Sequence, residues 1–183
     1  MTVLIGITGL PGAGKSHFSS RLAKDLKINH VRTDGLRNFL ISSIQYYHDA
    51  DYSYSNPKIH SANQIVTKLA NDIVSELLKQ KQPVILDSCG KTKERRLFRF
   101  ESAKLVSPKL KTVIIEIKTE EDSILNRLKE RKVGKKWVET YLTKWKSTYE
   151  APTNEADLIL TYETESDYEN ILKKLKHILK IKP

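Results

Sequence analysis

The sequence predicts an α/β fold in which a parallel sheet is covered by helices on both faces. Two observations carry that prediction. Residues 9–16 read Gly-Leu-Pro-Gly-Ala-Gly-Lys-Ser, a complete G-x-x-x-x-G-K-[ST] phosphate-binding loop set between an apolar, β-branched stretch and an amphipathic one. Beyond it, strand-like and helix-like patterns alternate to the end without linker, repeat or low-complexity tract, and right-handed crossovers turn such alternation into a parallel sheet. With 183 residues, 39% of them hydrophobic, the chain can bury a sizeable core as one domain spanning 1–183.

Each element has its own signal. Residues 2–7 form a buried strand, and 16–27 an amphipathic helix that continues the glycine loop. A short strand is expected at 30–32 and a helix at 34–43. The 63–79 segment reads as a long helix with Ile65, Leu69, Ile73 and Leu77 in register, and Pro57 marks the approach to it. Residues 83–87, Pro-Val-Ile-Leu-Asp, form a buried strand ending in an acid, followed by a charged helix at about 92–106. A fourth strand is expected at 112–117, helices at 120–132 and 136–149, and a fifth strand at 157–160. The last helix, about 166–181, sets Ile171, Leu172, Leu175, Ile178 and Leu179 on one stripe and its lysines elsewhere.

The loop has a definite chemistry. Its glycines permit a backbone that turns successive N–H groups inward as a nest for phosphate oxygens at a helix N-terminus. Lys15 adds a mobile positive charge, and Ser16 offers a hydroxyl to Mg²⁺. A nucleoside triphosphate site follows. No His/Cys cluster has metal-site spacing, so ATP-bound Mg²⁺ is the metal expected.

Composition constrains the surroundings. No apolar run reaches membrane-spanning length and residues 1–7 lead directly into the first strand, so a cytoplasmic protein without a membrane partner is expected. A single cysteine, Cys89, excludes an internal disulfide and reads as a small buried residue. The formal charge of +10 admits two explanations. A basic surface attracts nucleic acid, but a site for ATP and an anionic acceptor is basic as well. Lysines of the last helix read first as a solvated face.

Ligands of such sheets lie outside the carboxyl ends of the strands. That rule singles out Asp34 and Arg37, three residues apart at a helix start, and Asp87, which follows its strand as a magnesium-directed acid does. A carboxylate near the γ-phosphate can accept the proton of an attacking hydroxyl, while an arginine binds the acceptor. The alternative for Asp34 is a helix cap with Arg37 in solvent. Arg127 and Arg131 project together from a helix end before a basic, glycine-containing segment.

Together, G-L-P-G-A-G-K-S, T-D-x-x-R, V-I-L-D followed by Arg96, and the R-x-x-x-R of Arg127 and Arg131 resemble the small P-loop kinases of the polynucleotide 5′-kinase, zeta-toxin and chloramphenicol-phosphotransferase type. The resemblance covers nearly the whole chain. It implies five parallel strands in order 2-3-1-4-5 and transfer of the ATP γ-phosphate to a hydroxyl. By position it implies ATP contacts from Gly9, Pro11, Gly12, Ala13, Gly14, Lys15, Ser16, His17 and Arg127, with Lys15, Asp34, Arg37, Arg127 and Arg131 as the catalytic set. Asp34 is then the general base, Ser16 and, through water, Asp87 hold Mg²⁺, and residues 127–137 form a mobile lid. His17 replaces a common threonine, and Asp87-Ser88-Cys89-Gly90 stands where relatives read Asp-Ala-Thr-Asn, so the acceptor is left open.

The 44–60 segment forms an acceptor-side insert. Tyr46, Tyr47, Tyr52 and Tyr54 crowd there, offering stacking faces for a base or sugar, or simply packing on the next helix. Acceptor contacts are expected from Asp34, Arg37, Tyr47, Tyr54, Lys91 and Arg96. The acceptor is a small molecule, a nucleotide or a nucleic-acid end. Competing readings are a non-kinase ATPase or nucleotide switch, and a sugar-nucleotide kinase of the toxin type; chain length argues against an oligomeric AAA motor.

Overall fold

A computed structural model describes residues 2–48, 56–88, 90–131 and 134–181. Five parallel strands, β1 (Val3–Thr8), β2 (Asn29–Arg32), β3 (Val84–Asp87), β4 (Lys111–Ile117) and β5 (Leu158–Tyr162), lie in the order β2-β3-β1-β4-β5. Among the described residues seven α-helices surround the sheet: α1 (Lys15–Leu26), α2 (Thr33–Ser43), α3 (Pro57–Lys79), α4 (Lys93–Val106), α5 (Glu121–Lys129), α6 (Gly134–Thr140) and α7 (Glu165–Leu179).

The central strand shows why its sequence is apolar throughout. Val3, Ile5 and Ile7 enter a core with α1, α5 and α7, whereas Leu4 faces the opposite core with α3 and α4. A strand covered on both faces cannot alternate polar with apolar residues. Pairing β1 with β3 and β4 brings the three carboxyl ends together, with Asp87 beside Ile7 and Glu116 beside Thr8.

Three elements depart from the sequence expectation. Helix α3 begins at Pro57, with Asn56 capping it by accepting from the Lys58 N–H at 2.9 Å. Its buried stripe is Ile59, Ala62, Val66, Ala70, Val74 and Leu78, one residue on from the Ile65/Leu69/Ile73/Leu77 stripe, of which Ile65 is 41% exposed. Adjacent stripes differ by about 100° of rotation. The one carrying small and β-branched residues packs against Val31, Val84 and Leu86. The helix expected at 136–149 ends at Thr140 in a π-helical turn, Tyr141–Trp145, that buries Tyr141 and Trp145. β5 starts after Asp157, whose carboxylate instead accepts from Thr112 N–H at 2.7 Å and Thr112 Oγ1 at 2.9 Å.

Candidate functional site

The phosphate-binding loop follows β1 and runs into α1. Gly9 sits at φ 135°, and a Cβ there would lie 2.5 Å from the Ile117 carbonyl oxygen. Only glycine lets the loop pass so close to β4. Gly14 is the N-cap of α1 at φ 97°, turning the first N–H groups of the helix toward the loop. Lys15 Nζ donates to the carbonyls of Gly9 at 3.0 Å and Leu10 at 2.9 Å, arching back over the loop it belongs to.

Around the loop is a cavity of about 370 Å³. Pro11, Gly12, Gly14, Lys15, Ser16 and His17 line it on one side, Asp34, Arg37, Asp87, Arg127 and Arg131 elsewhere. Residues separated by more than a hundred positions therefore meet at the carboxyl ends of β1, β2 and β3, where the strand-end rule looks for a ligand.

Asp34 lies in the first turn of α2, and the N-cap of that helix is Arg32. Its carboxylate is 67% exposed and accepts from Arg37 Nη1. The capping role open to Asp34 in the sequence is thus filled by no side chain. Arg37 is held from two directions, since its Nε donates to Asn63 Oδ1 of α3 at 2.6 Å. Asp87 is buried at the end of β3, where its Oδ2 accepts from Ser19 Oγ at 3.0 Å and its carbonyl from Thr33 Oγ1 at 3.1 Å. The Ser16 hydroxyl and the Asp87 carboxylate both line this cavity, hard-oxygen donors of the kind that fit Mg²⁺. Arg127 projects from the end of α5 onto the loop, its Nη1 donating to the Gly12 carbonyl at 3.2 Å.

Two of the residues expected to contact the acceptor are buried and engaged within the fold. Arg96 is 4% exposed, pairs with Glu155 and donates to the carbonyls of Gly90 and Glu150, at 2.8 and 2.7 Å. A guanidinium so committed is a fixture of the fold. Burial alone would raise the Glu155 carboxyl, but the Thr153 N–H, Arg96 and the Asn154 N–H outweigh it and bring it down to about 2. Tyr47 is 6% exposed in a small cluster with Ile59 and Ala62, its hydroxyl 3.0 Å from Ser61 Oγ. It packs the insert against α3. Tyr54 and Cys89 lie outside the described residues. Lys91 Nζ donates to Thr148 Oγ1 at 3.0 Å and lines a neighbouring groove. Arg131 lines the cavity with Arg127; the middle of the expected lid, at 132–133, lies outside the described residues.

The structure adds Thr33, Asn63 and Trp145 to the cavity wall. Thr33 follows β2 directly, so the strand-end rule could have included it. Nothing local marks Asn63 or Trp145, which reach the site only through packing. Tyr149 donates to the buried Glu116 carboxylate at 2.7 Å, and burial together with that bond pushes its hydroxyl well above the usual range.

The family described as AAA domain matches residues 4–152. No curated protein matches the chain in sequence. Among solved structures, a candidate kinase from Chloroflexus aurantiacus superposes with a TM-score of 0.79 at 16% identity, covering 98% of this chain and 96% of its own. The APS kinase CysC of Mycobacterium tuberculosis, solved with AMPPNP and APS, gives 0.63 at 17% identity over 98% of each chain. Kti12 of Chaetomium thermophilum, solved with ADP-AlF3, gives 0.61 at 19% identity over 95% of this chain and 97% of its own. The fold is that of the P-loop kinases.

Proposed function

The chain belongs to the AAA-domain family, and from that premise we propose that it is a kinase moving the γ-phosphate of ATP to a hydroxyl of an acceptor. The observation that carries this reading is a single cavity holding both a phosphate-binding loop and the paired Asp34 and Arg37. A nucleotide switch has no use for that pair. The sharing of the fold with APS kinase supports the reading. So do the T-D-x-x-R and R-x-x-x-R motifs, on which the chain joins the polynucleotide-kinase, zeta-toxin and chloramphenicol-phosphotransferase group.

The loop N–H groups and Lys15 bind the β- and γ-phosphates, and Arg127 and Arg131 cover them from α5 as a lid. Asp34 accepts the proton of the acceptor hydroxyl as its oxygen bonds to the γ-phosphorus. The bond from that phosphorus to the β–γ bridging oxygen breaks, and ADP leaves with the electron pair. Arg37, oriented by Asn63, holds the acceptor and neutralises developing charge. Ser16 and, through water, Asp87 would hold Mg²⁺, which supplies further neutralisation of phosphate charge when bound. Among the described residues no helix is long and apolar enough to cross a membrane, and a cytoplasmic kinase is part of the proposal.

Transfer of labelled γ-phosphate from ATP into a panel of oligonucleotides, sugars and antibiotics tests the reading. Acceptor-dependent transfer is expected, falling roughly 10²- to 10⁴-fold in Asp34→Ala. ADP release that needs no acceptor and is unchanged by Asp34→Ala would overturn it.

A further inference from the structure

Three lysines share a backbone conformation that lysine seldom takes. Lys27, Lys81 and Lys180, at φ 53°, 58° and 55°, are the non-glycine residues with positive φ among the described residues. Each closes a helix in the same way, with the following N–H reaching five residues back. Ile28 donates to the Ala23 carbonyl at 3.1 Å, Gln82 to that of Leu77 at 2.9 Å and Ile181 to that of Lys176 at 3.0 Å. Such a helix stop customarily carries glycine, because positive φ crowds a Cβ. All three lysines are exposed, so packing does not select them.

Topology gathers them at one end of the molecule. Helices α1, α3 and α7 finish at the amino ends of the strands, opposite the end that holds the phosphate-binding loop. Strand pairing sets Asn29, Val84, Leu4 and Thr112 in one row, about 14 Å wide at about 4.8 Å per strand. Lys27 and Lys81 stand just before that row, as do Lys109 and Lys111 on the way from α4 into β4. Residues 24–29, 76–83, 104–111, 157 and 176–181 make up this end, and they hold nine lysines against Asp25, Glu76 and Asp157. That surplus of six is more than half of the formal charge of +10. The acids are engaged already: Asp25 accepts from Tyr168 Oη at 2.6 Å, Glu76 from Gln80 Nε2 at 3.1 Å and Asp157 from Thr112 Oγ1 at 2.9 Å. Helix dipoles favour lysine in a last turn. They do not account for Lys81, Lys109 and Lys111, which lie beyond the last turns of α3 and α4.

We propose that this lysine-covered end binds duplex nucleic acid through its phosphodiester backbone. Amino groups in number neutralise phosphates without reading bases. Single strands are held by aromatic faces as well, and none of the exposed aromatic side chains Phe39, Tyr46 and Phe98 lies in these segments. Of the exposed large apolar side chains among the described residues, Leu105 alone lies there, too little to enter a bilayer. The cavity around Lys15 is at the opposite end of the sheet, so a bound duplex leaves it open, and duplex binding does not depend on the kinase reading.

The test is fluorescence anisotropy of a labelled duplex of about 20 base pairs, as DNA and as RNA, titrated with the whole chain over a range of salt. At least one duplex is expected to bind, more tightly than a single strand of the same length. For DNA the logarithm of affinity should fall with that of salt at a slope of about −4 to −6, from about five or six phosphate contacts. Lys27→Gly, Lys81→Gly and Lys180→Gly together should weaken binding about tenfold or more and flatten that slope by about three. Their melting temperature should be no lower than that of the wild type, since glycine suits positive φ. Lys68→Ala, Arg95→Ala and Lys144→Ala, the same charge change at exposed positions outside this end, should cost about twofold at most. If the glycine variant fails to fold, Lys24→Gln with Lys109→Gln decides, with about threefold weakening or more expected. The proposal is overturned by no binding of either duplex at about 50 mM salt, by a single strand bound as tightly, or by stronger recruitment to phosphatidylserine vesicles. Equal weakening by the two triple variants overturns it as well.

Discussion

Replacing Glu155 by glutamine removes the charge that faces the buried Arg96 guanidinium, and its effect can be worked out in advance. The Glu155 carboxyl falls from an ordinary 4.5 to about 2 in the folded protein. At 1.36 kcal/mol per pH decade, that is about 3 kcal/mol of stability linked to its ionisation. A depressed carboxyl contributes this fully above the unfolded value, so it is present at pH 7 and fades as pH falls from about 4.5 toward 2. Glu155→Gln additionally leaves Arg96, 4% exposed, without its counter-charge, and breaking buried pairs costs about 3–5 kcal/mol. Urea unfolding of both proteins at neutral pH should therefore differ by about 3–5 kcal/mol, and the gap should narrow by about 3 kcal/mol near pH 2. A gap below about 1 kcal/mol at pH 7, or one independent of pH, would refute the placement of Arg96 as a fixture.

Other perturbations separate chemistry from architecture. Lys15→Ala should cut phosphate transfer by roughly 10²- to 10³-fold with little change in melting temperature, read by a coupled ADP assay beside calorimetry. Gly9→Ala forces a Cβ to within 2.5 Å of the Ile117 carbonyl, and denaturant titration should show a loss of about 2–4 kcal/mol. Tyr47→Phe gives up the bond to Ser61 and should cost about 1 kcal/mol of stability; acceptor KM, measured in steady state, should not move.

Local signals were legible from sequence, and partners distant in the chain were not. The glycine loop, the strand before it and the helix after it are encoded within neighbouring residues, so β1 and α1 fall where expected. Asp34, Arg37 and Asp87 sit at strand ends, and topology alone sends strand ends to one place. The pairing of Arg96 was not legible because its partner, Glu155, is 59 residues away and only the fold brings the two together. The α3 stripe was misjudged by one position because Ile65/Leu69 and Val66/Ala70 are equally periodic. Periodicity gives the presence of a buried face; the shape of the opposing sheet chooses which face it is. Asn63 and Trp145 enter the site as neighbours in space, and the turn that carries Trp145 is π-helical, a form no simple period announces.

The carbonyls of Gly9 and Leu10 that accept from Lys15 give the loop a threshold. An incoming anion must displace two neutral dipoles from the ammonium before it gains that charge for itself. A weakly charged oxyanion exchanges like for like and gains little, whereas a triphosphate offers a far stronger field. At Lys15 the exchange therefore favours anions of high charge density over weakly charged ones.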